Sequence, residues 1–174
     1  VGAINNDGGG SNSGHVRIYE WTESTLGWVK LGLDIDGFTI NDQSGHSVDL
    51  NSDGTVVAIG SISFDGGETD EGTVAVYSFD GTTWNNISGA TGIETNEASS
   101  EGGFSVSLSA DGTILAIGAP LSDANGAGSG SAKVYQYQGG SVWSQIGSTL
   151  IGEVAGDNFG RSVSLNSDGT RLVI

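Results

Sequence analysis

The sequence predicts an all-β protein made of three repeats, each a unit of four short antiparallel strands. Three observations carry that expectation. The whole chain is self-similar at one period, each period holds an Asp-Gly turn between short apolar runs, and no window of useful length has helical periodicity.

The period is read from three sets of segments. GHSVDLNSDGTVVAIGSI begins at Gly45, GFSVSLSADGTILAIGAP at Gly103 and GRSVSLNSDGTRLVI at Gly160. Their Asp-Gly pairs, Asp53-Gly54, Asp111-Gly112 and Asp168-Gly169, are spaced by 58 and 57 residues. GHVRIYEW from Gly14, GTVAVYSF from Gly72 and GSAKVYQY from Gly130 form a second set, and Trp28, Trp84 and Trp143 mark a third. The repeats run over residues 1–58, 59–116 and 117–174.

Each element follows from local chemistry. The first strand, such as Ser47 to Leu50, enters an Asn-Ser-Asp-Gly or Ser-Ala-Asp-Gly turn, where glycine supplies the left-handed conformation a tight hairpin needs. The second strand returns over Val56 to Gly60 and Ile114 to Gly118, and a glycine-rich loop leads to the third. The fourth holds the tryptophan. The third strand alternates Val16 and Ile18, Val74 and Val76, or Ala132 and Val134 on one face. Tyr19 and Trp21, Tyr77 and Phe79, or Tyr135 and Tyr137 lie on the other. A strand apolar on both faces is covered on both sides, which a lone sandwich does not require. The small residues Ala58, Gly60, Ala116 and Gly118 suit close packing near an axis. Four strands per repeat with both faces buried predict blades of a β-propeller.

Composition narrows the function classes. Twenty-one acidic residues against five basic ones give a net charge of −16, so nucleic acid and anionic lipid are unfavourable partners. No run approaches the roughly eighteen consecutive apolar residues of a membrane helix, so no membrane insertion is expected. Cysteine is absent, which removes disulfides and thiolate metal sites. Methionine is absent too, and the expectation is a mature segment or a piece of something longer. Val1 and Ile174 occupy the same phase of the second strand, and three units do not close a ring. Three arrangements are open: part of a larger propeller, an oligomer, or a head-to-tail fibre of copies of the chain.

Phe159-Gly160 followed by SVSLNSDGT, together with Ile117-Gly118-Ala119-Pro120, resembles the two halves of an FG-GAP repeat. Ser44-Gly45 and Gly102-Gly103 stand where the other repeats would carry Phe-Gly. The resemblance covers essentially the whole chain. It implies a propeller like that at the head of integrin α chains, extracellular or at the cell surface, used in adhesion or ligand binding, often with Ca²⁺ in hairpin loops.

Candidate metal ligands follow. Asp49, Asn51 and Asp53 before Gly54 alternate oxygen ligands as a calcium loop does, though a hairpin turn accounts for the same residues. The FG-GAP pattern implies a further Asp where this chain has Val57. Asp7, Asp65 and Asp123 each open a glycine-rich loop, where aspartate bonds its own loop's amides. The most acidic of these loops offers Asp65, Asp70 and Glu71 as the alternative Ca²⁺ site. Asn86-Ile87-Ser88 is a glycosylation sequon at Asn86.

The aromatic set, Tyr19, Tyr77, Tyr135, Trp28, Trp84 and Trp143, recurs once per repeat and is expected to pack as core. Trp21, present in one repeat only, is the better surface contact. His15 and His46 read as variable loop residues, and no nucleophile or phosphate-cradling motif is present, so no enzyme activity is expected. The leading expectation is an adhesion, structural or assembly module whose partners are other blades, copies of the chain, or a protein or glycan ligand. A lectin-like module is the alternative. A hydrolase would require carboxylates converging from several blades.

Overall fold

A computed structural model describes residues 1–174, and all of its regular structure is β. Seventeen strands form several antiparallel sheets, and no helix is long and apolar enough to cross a membrane.

The second and third sheets are the most complete. In the second, Ser44–Leu50 pairs Val56–Ser61, which pairs Thr73–Phe79, which pairs both Trp84–Asn86 and the short Ile93–Glu94. The third repeats this path with Ser105–Leu108, Ile114–Ala119, Ser131–Gly139, Val142–Gln145 and Leu150–Ile151. Four strands per repeat were expected and five are present. The fifth, only two residues long, docks on the start of the third strand, and two residues are too few for alternation to reveal.

The expected turns are in place. Gly54, Gly112 and Gly169 take φ of 74°, 72° and 68° at the three Asp-Gly turns. Asn51 Oδ1 accepts from the Thr55 and Val56 amides, holding the first of these hairpins shut. The first strand begins earlier than expected, at Ser44, with a register shift between Ser44 and Ser47. In the first repeat the third strand is broken into His15–Val16 and Tyr19–Thr22, which lie in separate sheets.

Strand alternation sorts the core. Val57 and Ile59 face the first sheet, formed by Gly2–Ala3, His15–Val16 and Ile35–Asp36, and pack with Val16, Ile18 and Ile35. On the opposite face Ala58, Val74 and Val76 meet Leu115, Ile117 and Tyr135 of the third sheet. Ala116 and Ala132, on the far side of the third sheet, pack with Val163, Leu165 and Leu172. Both faces of the second and third sheets are therefore covered, as the two apolar faces of the third strand predict.

Backbone bridges join successive sheets at one recurring place. Gly14 lies parallel to Ser44, Gly72 to Gly102 and Gly130 to Phe159. Each bridge brings the start of a third strand against the start of the next sheet's first strand. Gly60 faces the Gly103 carbonyl and Gly118 faces that of Gly160, so close that a Cβ on either would overlap backbone. This contact gives the small residues of the second strand their physical reason.

Candidate functional site

The Asp-Gly hairpin uses its oxygens within the chain. Asp49 Oδ2 accepts from the Leu108 amide of the next repeat at 2.7 Å. Asn51 closes the turn, and Asp53 Oδ1 accepts from the Thr55 amide at 3.0 Å and from its hydroxyl. The Thr55 hydroxyl is the chief reason the Asp53 carboxyl lies below its ordinary range; Asp168 is lowered in the same way by Thr170, and Asp111 first by Ser109. The three candidates of the first hairpin thus act in two directions, one toward the next sheet and two inside the turn.

The acidic loop is built differently. Asp65 Oδ1 accepts from the Asp70 amide at 2.7 Å, and Asp7 and Asp123 do the same for Asn12 and Gly128. The recurring aspartate is therefore a loop clasp in all three repeats. Glu71 is fully buried, and its Oε1 accepts from the amides of Gly66, Gly67 and Glu68 at 3.1, 2.6 and 3.3 Å. Its Oε2 is buried without a partner. No three histidine, cysteine, aspartate or glutamate side chains gather as a metal-binding group.

Asn86 ends a strand, and its Oδ1 accepts from the Ser88 amide at 2.8 Å. Ser88 Oγ in turn accepts from the Val76 amide. The sequon's two polar side chains thus serve the sheet.

The histidines are not variable loop residues. His15 is buried in a strand, with Nδ1 3.9 Å from Asp34 and 4.0 Å from Asp36. His46 lies in Ser44–Leu50 and packs on Phe104 with ring centroids 4.6 Å apart. Strand ends here run further than the apolar alternation reaches, which is why both looked like loop.

The aromatic residues divide. Trp84 and Trp143 are half-buried between sheets, and Tyr135 is buried. Tyr19 and Trp28 are exposed instead of core, since no sheet covers them on that side. Trp28 meets Trp21 edge to face at 5.8 Å, both rings exposed. A cleft of about 500 Å³ opens beside them, lined by Val16, Arg17, Tyr19, Trp28, Leu50 and Val57 among others. Arg17 and Lys30 bond Asp34 near this end, and the Arg17 hydrogen bond leads the causes that hold the Asp34 carboxyl well below the usual range.

Compared with protein-family models and with curated proteins, the chain matches none.

Proposed function

We propose that the chain is a run of FG-GAP-like β-propeller blades that works as an extracellular or cell-surface adhesion, structural or assembly module. The observation that carries this reading is the junction between repeats, which is built the same way each time. Ser47 Oγ donates to the Gly103 carbonyl at 2.7 Å, and Ser105 Oγ to that of Gly160 at 2.8 Å. A junction indifferent to which repeats it joins suits a module extended by adding units, in cis or by assembly of copies. Catalysis needs convergent reactive groups, and the aspartates of the Asp-Gly hairpins serve turns and junctions.

Small-angle scattering and electron microscopy of the purified chain test the architecture. Sheets fanned about one axis are expected, and a straight stack overturns the propeller. Turnover of glycoside or ester substrates, lost on substitution of a carboxylate, would overturn the module reading.

A glycan-binding role is the second reading, favoured by the exposed Trp21–Trp28 pair beside the apolar cleft. Quenching or shift of tryptophan fluorescence by an oligosaccharide, abolished in W28A, would support it; a glycan panel without response would remove it.

A further inference from the structure

Ser13, Glu71 and Ser129 hold one position, the residue before the glycine that opens each third strand, and all three are fully buried. In two repeats a single hydroxyl oxygen is enough to clasp the loop. Ser13 Oγ accepts from the Gly9 amide at 3.2 Å and Ser129 Oγ from the Asn125 amide at 3.0 Å. Glu71 does that work with Oε1 alone, using three amides. Three N–H groups on one oxygen are the setting of an anion. Its second oxygen has no function in the loop and no partner, and a bare buried anionic oxygen is costly.

A second carboxylate approaches the same loop at Gly66. A Cβ built on Gly66 would lie 2.6 Å from Glu71 Oε1 and 3.0 Å from the carboxyl carbon of Glu94. Glu94 comes from the short fifth strand, opposite Thr73. The chain's ion pairs all gather on Asp34 and Asp36, so neither glutamate has a cationic side chain. The third repeat places Ser129 and Ile151 at the two positions, and there neither the orphan oxygen nor the second carboxylate exists.

We propose that Glu71 Oε2 and the Glu94 carboxylate bind a hard divalent cation of the Ca²⁺ class, with loop carbonyls and water completing its shell. Oxygen ligands on an irregular glycine-rich loop suit Ca²⁺, which accepts six to eight donors in flexible geometry. Of the three donors expected in this loop, Asp65 accepts the Asp70 amide and Asp70 is itself exposed, whereas Glu71 alone holds a buried oxygen without a partner. The assignment does not depend on the module reading above.

Calorimetric titration and thermal unfolding of the whole chain, stripped with chelator and then given CaCl₂, test it. Ca²⁺ at tenfold above its Kd should raise Tm by about 4 °C. E71S keeps a loop clasp of the kind the other repeats use, so it should fold and lose the response; E94Q should weaken binding at least tenfold. Absence of heat and of a Tm shift in the wild type up to about 10 mM Ca²⁺, above the range of weak extracellular sites, overturns the proposal. So does a full response in E71S, and if that response disappears in D53N the ion belongs in the Asp-Gly hairpin. An E71S variant that folds with its Ca²⁺ affinity unchanged would equally overturn it.

Discussion

Trp143 donates its indole N–H to the carbonyl of Ile87 at 2.9 Å, and Trp84 makes the same bond to Leu31 at 3.0 Å. Each tryptophan belongs to one repeat and its acceptor to the repeat before. Ring packing accompanies both bonds, Trp84 on Phe79 at 5.0 Å and Trp143 on Tyr137 at 5.2 Å. The recurring tryptophan is therefore a rivet between sheets.

W84F and W143F keep most of the apolar ring and delete the donor, leaving a half-buried carbonyl without its partner. Each should lower unfolding stability by about 1 kcal/mol. Trp28 has no such acceptor and is 69% exposed, so W28F should stay within about 0.5 kcal/mol of wild type. Urea midpoints of the three variants decide it. Equal losses at all three positions would mean the indole bond contributes nothing beyond ring packing.

A parallel pair of bonds ties the first strands together. Asp49 Oδ2 accepts from the Leu108 amide, and at the next junction Ser107 Oγ accepts from the Leu165 amide at 3.0 Å. A carboxylate and a hydroxyl therefore perform one task. D49S should be close to neutral, whereas D49A should cost about 1–2 kcal/mol by stranding the Leu108 amide. Faster hydrogen exchange at that single amide in D49A locates the loss.

The repeat, the Asp-Gly turns and the two-faced third strand were legible because each leaves a mark of composition at a fixed offset. Gly54 must be glycine for its φ, and Val74 with Val76 must alternate with Tyr77. The site was less legible. Asp49 has the spacing of a metal ligand, yet it reaches a partner 59 residues away, which spacing within one loop does not report. Glu94 gave no signal at all, since only the pairing of the short fifth strand with Thr73 brings it to the acidic loop at Gly66. Glu71 was expected as a ligand together with Asp65 and Asp70, and its alignment with Ser13 and Ser129 sets it apart within that loop, because a buried glutamate in place of serine is a large chemical change at a regular position.

Gly60 and Gly118 set the closest approach of successive sheets. The Gly103 and Gly160 carbonyls sit where a Cβ would have to go, and neither atom is a flexible side-chain end. G60A and G118A should each destabilise by about 2–3 kcal/mol through overpacking. Gly54 is a contrasting control. Nothing lies near its side-chain position, but its φ of 74° is left-handed, so G54A should cost about 1 kcal/mol through backbone strain alone. Equal losses at Gly54 and Gly60 in thermal unfolding would show that the sheets separate readily at Gly60.

Acid should unfold the chain through its turns. Asp53 and Asp168 titrate below their unfolded value chiefly because Thr55 and Thr170 hydroxyls bond the carboxylates. A folded carboxyl lowered in this way contributes stability above its unfolded pKa of about 4 and loses it as pH falls through the folded value. Asp42 has the opposite sign. Burial raises it despite bonds from Thr39, so its contribution is full below the unfolded pKa and is lost as pH rises through the folded one. Urea midpoints from about pH 2 to pH 7 should therefore climb on the acid side, and the climb should be shallower in T55V, which deletes a hydroxyl donor. D42N removes the opposing group, so its midpoint should climb more steeply above about pH 4 than the wild type's. Parallel curves for D42N and wild type would mean that Asp42 titrates in the folded chain as it does in the unfolded one.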